Sequence, residues 1–152
     1  MKQTPQEQAV VGRMAPGVLS REGFLGQDAR GLSEIIETDR AALEAMDLTP
    51  HRLAERMEDV LRAAMAAMGT EVPAGPGWTA RFAEAMGRIA CPWGGCGVFA
   101  KGEAELVEEA GVAVMRLTAL SVHLVGEHAF FQGRRGRYRL EPALLAKALG
   151  LA

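Results

Sequence analysis

Apolar residues recur at three- and four-residue spacing through two long stretches of the first half of the chain, and in shorter runs after it. Leu32, Ile35, Ile36, Leu43 and Met46 form a stripe that predicts a helix from Ser33 to Met46. Ser33 is its expected N-cap, and Glu34 and Glu37 sit near the positive end. Asp47-Leu48 ends this run. Thr49-Pro50 opens a second helix, with Thr49 as cap and Pro50 at the first helical position, where a missing N–H costs nothing. Leu53, Met57, Val60, Leu61, Met65 and Met68 carry its apolar face towards Gly69, which stops it. A connection this short predicts an antiparallel helix pair.

The rest of the pattern is less regular. Residues 1–24 are rich in Gln, Pro and Gly and show no sustained period, so they read as a flexible N-terminal arm, with Phe24 and Leu25 available to dock it. The helical hairpin then spans 25–70, and the punctuation from Gly69 to Gly77 marks a boundary before a third segment, 71–152. The sequence leaves open whether 25–70 and 71–152 share one domain. Trp78 to Met86 suits a helix or a strand equally, while Ile89 predicts a strand leading to Cys91 and Val98-Phe99 its return partner. Glu103 to Ala110 reads as an acidic helical turn, and Val112 to Leu117 as a strand after Gly111. Thr118 caps a predicted helix from Ala119 to Phe131, and Pro142 opens a last one that runs to Leu149.

Composition narrows the class. The 152 residues are 49% apolar and 24% charged, which is globular and enough to bury a core without disulfides. Eight Met stand beside only eight aromatic residues, a texture that favours helices and adaptable packing. A net charge of −2 argues against bulk capture of nucleic acid but leaves room for a local basic patch. The N-terminal residues hold no uninterrupted apolar h-region, and no run approaches a membrane span, so a cytoplasmic setting is expected. There, two cysteines are more naturally thiols or metal ligands than a disulfide.

Both cysteines lie in Cys91-Pro-Trp-Gly-Gly-Cys96, and two of the three histidines lie in His123-Leu-Val-Gly-Glu-His128. Gly94 and Gly95 allow the tight turn that a two-thiolate knuckle needs. The histidines fall on a predicted helix, which offers two imidazoles from a rigid element. Cys and His in equal number are a common ligand set for structural zinc. Residues five apart on an ideal helix point about 140° apart, so His128 joins His123 only if the last turn is distorted, which Gly126 makes cheaper. Glu127, four residues after His123, is the substitute ligand if the helix stays regular.

Cys91-Pro-x-x-x-Cys96-Gly-x-Phe99 followed by Leu120-x-x-His123-x-x-x-x-His128 resembles a C2H2 zinc finger over residues 88 to 131. The resemblance implies that Cys91, Cys96, His123 and His128 bind one structural Zn2+, with Phe99 and Leu120 as the small core beneath it. The 26 residues between Cys96 and His123 exceed the finger spacing of about 12, which speaks against a compact DNA-reading unit. The resulting expectation is an α+β protein, an N-terminal antiparallel helix pair packed on a small zinc-stabilised β-hairpin/helix unit.

Arg134, Arg135, Arg137 and Arg139, with Tyr138 among them, form one dense basic cluster. It reads either as a phosphate-contacting, base-stacking surface for nucleic acid or as a solvated turn paired with acids such as Glu141 or the Glu103–Glu109 run. No nucleophile elbow, Walker loop or dinucleotide motif occurs. The expected function is therefore a zinc-binding module that binds or regulates rather than an enzyme, for which the arginines offer nucleic acid as one candidate partner. The alternatives are a protein partner through the Met-rich helices, or a hydrolase whose zinc keeps an open position. The partner itself is not legible.

Overall fold

The computed structural model describes residues 3–152. It is α+β, as the sequence implies, with five helices, a four-stranded antiparallel sheet and a separate two-stranded hairpin. The helices are α1 (Pro5–Arg13), α2 (Leu32–Ala45), α3 (Pro50–Ala66), α4 (Ala119–His128) and α5 (Pro142–Ala148). The strands are β1 (Val72–Pro73), β2 (Trp78–Ala83), β3 (Arg88–Ala90), β4 (Val98–Ala100), β5 (Glu103–Glu108) and β6 (Ala113–Thr118). The main sheet runs β1-β2-β5-β6, and the β3–β4 hairpin is an excursion between β2 and β5. Among the described residues no helix is long and apolar enough to cross a membrane.

Local chemistry accounts for most boundaries. Thr49 accepts a hydrogen bond from the Arg52 N–H and Pro50 occupies the first turn of α3, as its sequence predicts. One turn of α2 differs from expectation: its cap is Gly31, Leu32 is drawn into the helix and buried, and Ser33 bonds Glu7 instead. Asp47, at φ 56°, closes α2 with paired bonds from Asp47 to Glu44 and from Leu48 to Leu43, a Schellman ending. Residues 5–13 form a helix where the sequence shows no period. Thr4 caps it and Pro5 starts it, and it buries Val10, followed by Met14 just past its end.

The acidic segment after Gly102 is strand β5 rather than a helical turn. Ala104 and Leu106 turn inward, while Glu105 faces Arg81 and Glu103 faces Arg116 on the outer side. Alternation thus overrides the helix preference of Glu and Ala, because Leu106 completes a core that only a strand reaches. Trp78–Ala83, ambiguous in sequence, is strand β2 and pairs along the full length of β5.

Two apolar cores result. The larger lies between the sheet and α3, with Leu53, Met57, Leu106, Leu117, Phe131 and Leu145 at its centre. The second joins α1, α2, the hairpin and α4 through Met14, Phe24, Ile35, Cys91, Leu120 and Phe130. Helix α4 feeds both, sending Val125 to the first and Leu124 to the second. It lies closely along α3, whereas α2 finds its helix partner in α5.

Close approach of α3 and α4 depends on Gly126, where an added Cβ meets the Ala54 Cβ at 3.0 Å. Gly126→Val is therefore expected to cost about 1–3 kcal/mol by overpacking, measured by denaturant unfolding. Adding Ala54→Gly should restore part of the loss. A Gly126→Val variant as stable as wild type would show that the helices part freely.

Candidate metal centre

The β3–β4 hairpin presents the two thiols. Ile89 pairs with Phe99 and Ala90 with Val98, so Cys91 leaves the end of one strand and Cys96 returns towards the other. Gly94, Gly95 and Gly97 all hold positive φ, and the Gly94 N–H donates to the Cys91 carbonyl, which closes the turn. From outside the hairpin, the guanidinium of Arg13 donates to the carbonyls of Pro92 and Trp93. That contact pins the knuckle to the end of α1.

Helix α4 presents the two imidazoles. Thr118 and Ser121 form a reciprocal capping box at its start, which fixes the phase of the helix. Its last turn is widened: the Ala129 N–H points at the Leu124 and Val125 carbonyls, Phe130 donates to Leu124, and Ala129 sits at φ 51°. This distortion brings two residues five apart onto one site, with the His123 and His128 rings 5.2 Å apart between centroids. The backbone thus provides what ideal helix geometry denies.

One ligand atom from each of Cys91, Cys96, His123 and His128 lies within 4.8 Å of all the others, close enough to bind a metal ion. His128 Nε2 is 3.5 Å from Cys91 Sγ and 3.9 Å from Cys96 Sγ. His123 Nε2 is buried without a hydrogen-bond partner among the described residues. A buried ring nitrogen left bare is costly unless something coordinates or bonds it. Glu127, the substitute candidate, stays exposed and outside the group, in an open groove that also reaches His51 and His123.

Aromatic rings hold the imidazoles in place. Trp93 stacks on His128 at 4.1 Å with planes 7° apart, and Phe99 lies 4.7 Å from His123. Phe130 meets Trp93 edge-on at 5.5 Å. Burial dominates the local electrostatics. It pushes the Cys91 thiol up to about 11, helped by the neighbouring Cys96. It pushes both histidines below their usual range, against a raising pull from Glu127. The protein alone thus holds neutral imidazoles, which are ready ligands, and a Cys91 that stays protonated until a cation takes its place.

The basic cluster is not assembled as one surface. Arg139 is turned inward and pairs with buried Asp39, with Glu141 and with the Gln132 carbonyl. Arg137 lies over Tyr138 and 4.0 Å from Glu103, to which the Tyr138 hydroxyl also donates. Arg134 and Arg135 remain exposed, tied to Asp28 through backbone and to Gln27 through side chain. Sequence reading missed Arg13 and the stacking role of Trp93. A lone arginine 78 positions before the first cysteine carries no local signal of its partner.

Comparison of the chain with protein-family models, with curated proteins and with solved structures gives no match.

Proposed function

We propose that the protein is a zinc-binding module in which Cys91, Cys96, His123 and His128 hold one structural Zn2+ that fastens the hairpin to α4. The observation that carries this reading is the convergence of one ligand atom from each of the four residues within 4.8 Å of one another, beside a buried His123 Nε2 that has no hydrogen-bond partner among the described residues. Zinc suits the donor set, because two thiolates and two imidazoles are a borderline-soft tetrahedral combination that leaves the site neutral. The spacing also suits it. Bonds of about 2.3 Å to sulfur and about 2.0 Å to nitrogen give a tetrahedral S–N edge of about 3.5 Å. Cys91 Sγ and His128 Nε2 stand 3.5 Å apart.

Four protein donors leave no open coordination position, which favours a structural over a hydrolytic metal. The module's role is then to bind or regulate. Arg139 is taken up within the fold, so a nucleic-acid surface would rest on the exposed Arg134, Arg135 and Arg137 and would be narrow.

Metal content tests the central claim. Protein purified under reducing, zinc-replete conditions should carry close to one equivalent of zinc, and Cys91→Ser well under half of that. Less than half an equivalent in the wild type would overturn it. Loading the metal-free protein near neutral pH should also release about two protons, from the two thiols, detectable with a pH indicator.

A further inference from the structure

Arg13 ends helix α1 and is half-buried against the β3–β4 hairpin. Its guanidinium is always charged and offers a planar fork of donors. Nε donates to the Pro92 carbonyl and Nη2 to the Trp93 carbonyl at 3.2 Å. Among the described residues no carboxylate pairs with it, so its charge is directed at two neutral carbonyls. The fork also sits close on the turn, where a Cβ at Gly94 would stand 3.6 Å from Nη2.

These carbonyls belong to peptide groups whose other ends serve the metal centre. The Pro92 carbonyl shares its peptide group with the Trp93 N–H, and the Trp93 carbonyl with the Gly94 N–H. Both N–H groups act as hydrogen-bond donors to the Cys91 sulfur, and Gly94 shares its hydrogen with the Cys91 carbonyl. A cation held on a carbonyl oxygen polarises the peptide and strengthens its N–H as a donor. Arg13 therefore reaches the sulfur twice, through two peptide groups, without touching it. It reaches a second ligand as well, because the Trp93 ring stacks on His128 at 4.1 Å. One arginine from outside the hairpin thus bears on a thiol of the hairpin and an imidazole of α4.

We propose that Arg13 is a positioning residue of the metal centre, whose forked hold on the Pro92 and Trp93 carbonyls slows release of the metal. This rests on the zinc reading and deepens it. The finger-like segment 88 to 131 then does not hold its metal alone, but draws on a helix near the start of the chain. Partners one step removed from a metal fix the orientation of its ligands, and losing one commonly weakens binding by about ten- to hundredfold.

The test uses the full chain loaded with zinc. Zinc content of the wild type is measured first, and less than half an equivalent would overturn the zinc reading and this proposal with it. Release to an excess of a chromogenic chelator is then timed. Arg13→Ala should still bind close to one equivalent but release it about ten- to hundredfold faster. Arg13→Lys keeps the charge but can serve only one carbonyl, so its rate should fall between the two. Cobalt in place of zinc supplies a readout that loosened packing alone would not move. With weaker N–H donation the Cys91 sulfur gives up electron density more readily. The thiolate-to-cobalt charge-transfer band should therefore move to longer wavelength in Arg13→Ala, while the d–d bands stay tetrahedral. A loaded wild type matched by Arg13→Ala in release rate and band position would overturn the role of Arg13 alone. Faster release with an unmoved band would also overturn it, by reducing Arg13 to a packing contact. If Arg13→Ala does not fold, Arg13→Lys decides, and a rate and band equal to wild type would overturn the proposal.

Discussion

Replacing Asp39 with alanine is expected to destabilise the protein by about 3–5 kcal/mol, because it strands a buried guanidinium. Asp39 is 3% exposed on α2 and meets Arg139 through both carboxylate oxygens. Glu141 is mostly exposed and approaches from the other side at 3.2 Å, so it only partly replaces the lost charge. The size of the loss reflects desolvation more than the worth of the pair. The double variant Asp39→Leu with Arg139→Met should therefore recover most of it, which denaturant melts of the two proteins will show. A loss under about 1 kcal/mol for Asp39→Ala would mean that water reaches the guanidinium. In that case Arg139 would rejoin the surface cluster.

That pair illustrates where sequence stops being informative. Asp39 falls within the α2 pattern as an ordinary polar residue, and Arg139 falls within a basic run. Nothing local says that they meet across 100 positions. Helix α3 was legible because period, cap and proline all agree, and α2 because of its apolar period alone, its cap falling at Gly31 rather than Ser33. Helix α1 repeats the Thr-Pro start of α3 at Thr4-Pro5, yet it is a single short stretch whose stability comes from docking Val10 and Met14 on the second core. Strand β5 was misread for the same kind of reason, since burial of Ala104 and Leu106 outweighs local preference. At the metal centre, residue type and spacing were enough to name the group. The enlarged spacer is accounted for by β5 and β6, which complete the main sheet between hairpin and α4. What no spacing rule could supply is the widened last turn, the Arg13 clamp and the choice of His128 over Glu127.

Stripping the metal is expected to lower the melting temperature by about 10 °C or more. A ligand present at about 1,000 times its dissociation constant stabilises by about 4 kcal/mol, and each kcal/mol moves a chain of this size by about 2–4 °C. The loss should begin in the second core, where Cys91, Leu120 and Phe130 pack together. Trp93 should leave its stack on His128, shifting its fluorescence, while Trp78 in the larger core is spared. Amides of 88–100 and 119–131 should exchange first.

The pH profile separates this from simple loosening. In the metal-free protein the lowered histidines take up protons more readily when unfolded, so stability is present above about 6.5 and falls as pH drops. Cys91 works in the opposite sense. Its thiol is raised from 9.0 to about 11, so its contribution is present below about 9 and is lost as pH rises towards 11. The metal-free melting temperature should therefore peak between about pH 7 and 9. With metal bound, the thiols are already ionised and the alkaline decline should vanish. The acid decline should steepen, because protons then displace the ion as well. Identical profiles with and without a strong chelator, or a melting temperature unmoved by chelation, would mean that the four residues hold no metal and that the hairpin is secured by packing alone.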